Sequence, residues 1–292
     1  MVQTVPSILH SNLRKLDLMA KIDKSQYTKQ EWLKVKEQRR LEKHGSAQKT
    51  NFNSKDDYSQ IYILCLKHGT KYDADYVNRL YNMCKRWCTL DFKFVCLTDD
   101  TGYLNPEIET LEIPKGLEGW WCKPYMFSAD LPIKGTILYM DLDVVLSANI
   151  DKLITYQNNH WCTIRDFTRA MRPKWHKYNS SIVRFKTGQL HFVWDEYIKD
   201  PKAMQSRHFG DQDYLYEATL KMKPMLYPDS WIQSWKWEVR KSKQLTIGGT
   251  KGTRTFTTIE NVKPRVECCV CVFHGDPNPH NCEDPWVKEN WC

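Results

Sequence analysis

Two aspartates, Asp141 and Asp143, interrupt an apolar run over residues 137–146 (ILYMDLDVVL). Successive side chains of a strand alternate between its faces, so two aspartates separated by one residue are predicted to project to the same side. Unpaired, such charges repel each other and resist burial, whereas Mg²⁺ or Mn²⁺ would bind both carboxylates and leave positions for phosphate oxygens. The pattern therefore predicts a metal-chelated diphosphate as ligand. A solvated strand end or turn is the alternative.

Three further motifs follow in order along the chain. They are Asn179-Ser180 inside YNSSIVRF, the run Asp211, Gln212, Asp213 after Gly210, and His274-Gly275 at the end of VCVFHG. Together with Asp141 and Asp143, this order resembles the DxD arrangement of nucleotide-sugar glycosyltransferases of the GT-A fold, and within it the retaining, glycogenin-like group. The order of the four motifs is more specific than any one of them.

The resemblance covers roughly residues 58–280 and implies an α/β fold, namely a Rossmann-like mixed sheet flanked by helices. It implies metal-dependent transfer of a sugar from a nucleotide diphosphate, most often UDP. Asp141, Asp143 and His274 correspond to the metal ligands, and an imidazole ligand favours Mn²⁺ over Mg²⁺. A hydrogen-bonded histidine at a strand end is the alternative for His274. Asn179 and Ser180 would face the sugar.

One position departs from the resembled family, whose glycine segment continues to a lysine on the diphosphate. Here Asn278 follows Gly275 at that place, and an amide cannot neutralise phosphate charge. Another cation is therefore expected near the diphosphate, and Lys123, Lys236 and His280 are the candidates. Lys123 lies in the segment GWWCKPYMF, which is similar to the family segment whose lysine approaches the donor.

The nucleotide base is expected beside the first predicted strand, residues 60–66. The loop after this strand contains His68 and Tyr72, and the Tyr72 ring could stack on the base. In the resembled family an acidic residue after the second strand helps to hold the uridine, which points to Asp99 here. Asp99 or Asp100 could instead be only a turn residue or a helix cap.

Sugar transfer also requires a group that handles charge at the anomeric carbon. Asp211 or Asp213, on either side of Gln212, is the acidic group that the matched motifs leave for this role, and Asp211 is preferred. A glycogenin-like enzyme retains the anomeric configuration, whereas an inverting enzyme would use a carboxylate as base on the acceptor. The sequence leaves both outcomes open.

The composition predicts a folded protein of the cytoplasm. The chain has 292 residues, 41% of them hydrophobic, which suffices for one large α/β domain plus appendages. Neither a signal peptide nor an apolar run long enough to cross a membrane is visible, which argues against a membrane-anchored transferase. Eleven scattered cysteines indicate reduced thiols rather than a disulfide framework.

A zinc site is a rival interpretation of one cysteine cluster. Cys268 and Cys271 form a C-x-x-C pair near His274, His280 and Cys282. If residues 265–273 form one strand, however, Cys268 and Cys271 lie on opposite faces of it and cannot bind the same ion. The geometry expected of a strand therefore disfavours zinc.

The first 57 residues differ from the remainder and are predicted to be a helical extension and linker, with the transferase domain at 58–292. This segment has twelve Lys or Arg against seven Asp or Glu. Thr28 and Glu31 form a capping box before a predicted helix over residues 32–44, and residues 46–55 have a linker composition. Its charge could be a solvated face or a binding surface.

The net charge of +8 favours a polyanionic acceptor. With the cytoplasmic character and the aromatic segment 231–237, it suggests a hydroxymethylated base in DNA, as in bacteriophage-type modification inside an infected bacterial host. A protein or oligosaccharide acceptor is the first alternative. A non-catalytic nucleic-acid-binding protein is the second, and its expected mark is the loss of the metal ligands.

A glycine-rich string late in the chain, within residues 241–254, resembles the nucleotide loop of sugar nucleotidyltransferases. In those enzymes the loop follows the first strand, whereas here it follows most of the fold. We therefore interpret this segment as a mobile loop or hairpin beside the acceptor pocket, rather than as a nucleotide loop.

Overall fold

The computed structural model describes residues 57–249, 252–260 and 263–292. Its strands are β1 (Ile61–Lys67), β2 (Lys93–Thr98), β3 (Glu109–Glu112), β4 (Thr136–Met140), β5 (Val144–Leu146), β6 (Cys162–Arg165), β7 (Tyr178–Lys186), β8 (Met225–Leu226), β9 (Ile232–Ser234), β10 (Lys241–Gly249), β11 (Gly252–Glu260) and β12 (Val270–Val272). Its α-helices are α1 (Ala74–Trp87), α2 (Asp151–Thr155), α3 (His191–Tyr197), α4 (Pro201–Arg207), α5 (Asp211–Ala218) and α6 (Pro285–Asn290). Short 3₁₀ turns cover Gly119–Phe127, Phe167–Ala170 and Pro279–Asn281, and a π turn covers Trp235–Val239.

A seven-stranded mixed sheet in the order β3-β2-β1-β4-β7-β6-β8 forms the centre of the fold. Strands β1 to β4 are parallel, while β7 runs antiparallel to both β4 and β6. The carboxyl end of β4 therefore meets the amino end of β7 at one edge, which is where an α/β sheet binds its ligands. This mixed sheet with helices confirms the predicted fold class.

The central sheet is buried on both faces, as the near-continuous apolar strands require. In β1, Ile63 and Cys65 belong to one apolar cluster, whereas Tyr62 and Leu64 belong to the cluster on the other side. The predicted first strand is correct to within one residue. Asp73 caps the start of α1 by accepting a hydrogen bond from the Tyr76 backbone N–H at 3.4 Å.

Two strand predictions are wrong in extent. The apolar run over 137–146 is divided, because β4 ends at Met140 and β5 joins a separate three-stranded sheet, β5-β12-β9. Residues 141–143 therefore form a turn, and strand alternation does not apply to the two aspartates. The closing strand covers only Val270–Val272, since a turn in which the Cys268 N–H donates to the Arg265 carbonyl precedes it. The alternation argument against zinc fails for the same reason.

The glycine-rich segment is a β-hairpin formed by β10 and β11, one of the two conformations anticipated for it. The predicted extension, its helix and its linker lie outside the described residues apart from Asp57, so the domain boundary stays a prediction. Within the described ranges, no helix has the length and apolar character needed to cross a membrane.

Candidate active site

Lys123 links three of the motifs that the sequence separates widely. Its Nζ lies 2.9 Å from Asp141 Oδ1 and 3.1 Å from Asp211 Oδ2, and it donates to Ser180 Oγ at 3.2 Å. Ser180 Oγ in turn donates to Asp211 Oδ2 at 2.6 Å. Lys123 lies in the 3₁₀ turn Gly119–Phe127, and Asp141 directly follows β4. Ser180 lies in β7, and Asp211 is the first residue of α5.

Lys123 is 8% exposed, and its neighbouring carboxylates keep the buried ammonium protonated. Burial alone would lower the pKa of this ammonium, but the carboxylates of Asp141 and Asp211 outweigh burial and raise the pKa above its usual range. Tyr139, whose hydroxyl donates to Asp141 Oδ1 at 2.6 Å, completes the pairing of Asp141. The cluster is therefore a charged, hydrogen-bonded centre inside a largely closed site.

Asn179 and Gln212 form a second chain of hydrogen bonds beside this centre. The Asn179 side-chain N–H donates to Gln212 Oε1 at 2.7 Å, and Gln212 Nε2 donates to Asp166 Oδ2 at 2.7 Å. Asp213, on the same helix, accepts from Lys177 Nζ at 2.8 Å. Of the acidic pair considered for catalysis, Asp211 lies in the cluster with Asp141, whereas Asp213 is engaged by a surface lysine.

Asp143 has a different environment from Asp141. Its Oδ2 accepts a hydrogen bond from the Tyr72 hydroxyl at 3.0 Å. Burial and then the nearby charge of Asp141 raise the pKa of Asp143 to about 7, and the bond from Tyr72 offsets only part of this effect. Burial and the Asp143 charge likewise raise the pKa of Tyr72. Asp141 and Asp143 have different hydrogen-bond partners, yet their two carboxylates remain close enough to repel each other.

His274 follows the three-stranded sheet and lies beside the aspartate turn through its backbone, since the Phe273 N–H donates to the Asp143 carbonyl at 2.8 Å. Its ring stacks on Phe167 with 5.5 Å between centroids, and Nε2 lies 2.6 Å from Ser234 Oγ. Burial and then the Lys236 charge lower the pKa of His274, which favours the neutral imidazole that a metal requires.

The surroundings of Asp141, Asp143 and His274 bear on the predicted metal site. Two carboxylates in a buried site, one of them with a raised pKa, are the hard oxygen donors that suit Mg²⁺ or Mn²⁺, and a cation would relieve their repulsion. Across the described ranges, however, no three His, Cys, Asp or Glu side chains group closely enough to hold an ion. The Asp141–Asp143 pair fits a cation, while Nε2 of His274 is engaged by Ser234.

Two of the predicted base-binding residues, His68 and Asp99, meet at the carboxyl ends of β1 and β2. Asp99 accepts hydrogen bonds from the Gly69 N–H at 3.1 and 3.2 Å, and its Oδ2 lies 3.8 Å from His68 Nε2. Asp100 accepts from the Gly102 N–H at 2.9 Å and from Lys67 at 3.2 Å, which makes it the turn residue. Asp99 is therefore the better of the two candidates for the nucleotide.

The candidates for the missing lysine lie in three places. Lys236 Nζ lies 3.7 Å from the point where a Cβ of Gly275 would be, so Lys236 reaches the glycine segment. His280 instead pairs with the Tyr76 hydroxyl through Nδ1. Asn278 precedes a short 3₁₀ turn, and its backbone N–H donates to Asn281 Oδ1 at 2.7 Å. Lys123 belongs to the central cluster described above.

In the aromatic segment 231–237, from which the sequence suggests a base as acceptor, Trp235 is not available to a base. Trp235 is 3% exposed and donates through Nε1 to Asp284 at 2.7 Å, so it packs in the core. Trp237 is 39% exposed and contacts the His274 ring. A different indole, Trp120, is 57% exposed. Its Nε1 lies 3.6 Å from the Cβ position of Gly210, the residue before α5.

Sequence reasoning missed several residues of the site. Tyr139, Asp166, Lys177 and Ser234 each hold a motif residue in place through the bonds given above. Asp166 had a signal, because it is an acidic residue directly after a strand that ends at the ligand-binding edge of the sheet. Ser234 had none, since its partner is far along the chain.

Several solved structures with a similar fold are GT-A-type glycosyltransferases. An active-site variant of LgtC matches with a TM-score of 0.51 and 10% identity, covering 78% of this chain and 93% of its own. The galactosyltransferase LgtC in complex with donor and acceptor sugar analogs gives 0.50 and 9% over the same shares. The bifunctional glycosyltransferase WbbM in its apo form gives 0.53 and 14%, over 97% of this chain and 62% of its own.

No protein-family profile and no curated protein sequence matches the chain. At 9–14% identity, the likeness to these structures shows a shared fold. The protein therefore has the GT-A fold, while membership of the glycogenin-like group stays a prediction.

Proposed function

We propose that the protein is a glycosyltransferase that moves a sugar from a UDP-sugar donor to an acceptor hydroxyl. The observation that carries the proposal is the buried Lys123 between Asp141 and Asp211 at the ligand-binding edge of a GT-A sheet. Active sites need this kind of preorganised charge, and titratable groups perturbed by burial and by a specific charge partner cluster there. The fold shared with LgtC supports the same class.

Mn²⁺ (or Mg²⁺) is the proposed cofactor, with Asp141, Asp143 and His274 as its ligands. When bound, it would neutralise the diphosphate and favour its departure. Ser234 engages only Nε2 of His274, so Nδ1 is the ring nitrogen that could bind the ion, with Ser234 as an outer partner. Tyr72, which donates to Asp143, would orient the carboxylate as an outer partner.

The remaining residues divide between donor binding and catalysis. We assign Asp211 to the charge at the anomeric carbon, with Gln212 holding Asn179 beside it. Asn179 and Ser180 face the sugar in this proposal. The uridine is assigned to His68, Tyr72 and Asp99, and the diphosphate to Lys123, Lys236, Gly275 and Asn278. Asp213 is the reserve candidate for Asp211, and both stereochemical outcomes stay open.

Calorimetric titration of UDP into the protein tests the donor site without knowledge of the sugar. We expect binding with Mn²⁺ and a large loss of binding with EDTA, because Asp141 and Asp143 would hold the ion and its charge would offset that of the diphosphate. Weaker binding of ADP than of UDP would support the base assignment to Asp99. Equal UDP binding in EDTA would overturn the metal assignment, and no binding in either condition would overturn the UDP donor.

For the acceptor, we propose a hydroxymethylated base in DNA. The net charge of +8 favours a polyanion, and an exposed Trp120 beside the start of α5 offers a ring on which an unstacked base can lie. Stacking on an aromatic ring contributes about 1–3 kcal/mol per base. A saccharide could use the same ring, and it is the alternative acceptor.

The two acceptors respond differently to salt. Affinity for a DNA duplex should fall steeply as ionic strength rises, because bound phosphates release counterions, whereas glycan affinity should change little. A duplex containing 5-hydroxymethylcytosine and a neutral oligosaccharide are therefore titrated in parallel. Salt-insensitive oligosaccharide binding without DNA binding would replace the DNA acceptor by a saccharide.

A further inference from the structure

A loop between β6 and β7 carries positive charge that no carboxylate of the described residues neutralises. We call residues 171–176 (MRPKWH) the basic loop. Within it Arg172, Lys174 and His176 are exposed, and the apolar side chain of Met171 is 64% exposed. The whole stretch 167–177 contains no Asp or Glu. The basic loop therefore concentrates unbalanced charge on a small surface.

Neighbouring basic residues contrast with those of the loop because each has an acidic partner. Arg169 Nη2 lies 2.9 Å from Glu238 Oε2, and Lys177 Nζ lies 2.8 Å from Asp213. Arg172, by contrast, lies over the Trp175 ring at 5.8 Å, and neither it nor Lys174 forms an ion pair within the described part of the chain. These two cations are thus available to an anionic ligand.

The basic loop is held in place although its charges face outward. The Arg165 guanidinium donates to the Pro173 carbonyl at 2.8 Å and also pairs with Asp229. Inside the loop, the Trp175 N–H donates to the Arg172 carbonyl at 2.8 Å. A backbone anchored at these points presents its side chains with less loss of conformational entropy on binding than a free loop would.

The position of the basic loop relates it to catalysis. It ends where β7 begins, and β7 supplies Asn179 and Ser180 to the site. Lys177, directly after the loop, contacts Asp213 in the first turn of α5, which starts at Asp211. The loop therefore lies on the same edge of the sheet as the proposed catalytic carboxylate.

We propose that the basic loop binds backbone phosphates of a nucleic-acid acceptor, with Arg172 and Lys174 as the contacting cations. The proposal rests on the proposed function in that the acceptor is DNA. Arginine suits phosphate because its planar fork can donate two parallel hydrogen bonds, and lysine supplies a point charge. Such contacts position the duplex without reading its sequence, so that a base near Trp120 can approach Asp211.

The salt dependence of DNA binding provides the test. Each phosphate contact contributes about 0.9 to the slope of log affinity against log salt for duplex DNA, so R172Q/K174Q should lower the slope by about 2. The probe is a short duplex containing 5-hydroxymethylcytosine, titrated by fluorescence anisotropy into the full chain at several salt concentrations. The weakening should be equal for an unmodified duplex, because phosphates carry no sequence information.

Two control variants accompany this measurement. K202Q/K223Q removes the same charge from exposed lysines at the start of α4 and before β8, and it should leave the slope within about one contact of the wild type. R172K/K174R keeps the charge of the loop and should keep the slope. A slope change of equal size in R172Q/K174Q and K202Q/K223Q would overturn the proposal in favour of a general charge effect.

The remaining outcomes separate the loop from the proposed function. Wild-type DNA binding with an unchanged slope in R172Q/K174Q overturns the role of the loop and leaves the DNA acceptor standing. Absence of DNA binding in the wild type overturns both the loop and the DNA acceptor. In each case, UDP titration of the same preparations reports on the donor site, and retained UDP binding shows that the variants are folded.

Discussion

Among single residues of the site, buried charges of opposite sign compensate each other. Lys123 is nearly fully buried, and it keeps its proton because Asp141 and Asp211 lie within 3.1 Å. Asp143, by contrast, accepts a hydrogen bond from the Tyr72 hydroxyl and feels the unfavourable charge of Asp141, which the charges of Lys71 and Lys123 offset only in part. A carboxylate in this position is stabilised when a cation arrives, which makes Asp143 the most sensitive probe of the metal proposal.

Asp143→Asn removes a proposed metal ligand. Loss of an outer-shell partner typically lowers metal affinity about 10–100-fold, so we expect this variant to lower metal-dependent UDP affinity by more than that. The melting temperature should not fall, since the substitution removes a buried charge. Calorimetry with Mn²⁺ measures the first effect and thermal unfolding the second. Full Mn²⁺-dependent UDP binding by this variant would remove Asp143 from the metal site.

Asp211→Asn should leave the Kd of UDP unchanged and lower kcat by about 10²–10³-fold, because electrostatic stabilisation of the transition state is lost. The matched variant is Asp213→Asn, whose carboxylate is engaged by Lys177 and should matter much less. Donor hydrolysis assayed under saturating UDP-sugar measures both. A larger loss in Asp213→Asn would transfer the catalytic assignment to Asp213.

At the scale of elements, the site depends on the pairing of β1 with β4, which sets where β4 ends. Gly135 precedes β4, and a Cβ at this position would lie 2.1 Å from the Gln60 carbonyl oxygen. The neighbouring Thr136 N–H donates to the same oxygen at 2.8 Å. The close approach that brings the two strands together therefore requires glycine.

Gly135→Ala should lower the free energy of unfolding by about 1–3 kcal/mol, since backbone atoms must shift to make room. Gly210→Ala serves as control, because its new Cβ would meet only the Trp120 ring at 3.6 Å or more. Urea unfolding measures both variants. Equal stability of Gly135→Ala and the wild type would show that the strand pairing tolerates the methyl group.

At the scale of the whole molecule, eleven free cysteines report on packing. Nine of them are buried, Cys88 is half-buried and Cys292 is exposed. Burial raises the pKa of thiols such as Cys84 and Cys271, which makes them unreactive. Chemical reactivity therefore distinguishes the packed core from the chain terminus.

Titration with a thiol reagent should modify Cys292 rapidly in the folded protein and all eleven thiols in denaturant. Cys292→Ser should abolish the rapid phase and leave the slow one. Rapid reaction of several thiols in the native protein would contradict the packing described here, and fewer than eleven in denaturant would indicate disulfides.

The charge of the molecule is unevenly distributed, since residues 1–57 carry twelve basic against seven acidic residues. Deletion of residues 1–55 should leave UDP binding intact and weaken DNA binding, because counterion release scales with the number of phosphate contacts. Anisotropy titrations of the two forms measure the difference. Unchanged DNA affinity would return this segment to the solvated-face interpretation.

The α/β class, the first strand and the order of the motifs could be predicted from the amino-acid sequence, because local periodicity and residue type encode burial. The sequence also placed Asp141, Ser180 and Asp211 in one site, although they are far apart along the chain. The hydrogen-bond or ion-pair partner of each side chain follows from the folded structure alone. Lys123 between two carboxylates, Ser234 on His274, and the turn that separates Asp141 from Asp143 all depend on the pairing of distant strands, which local patterns do not specify.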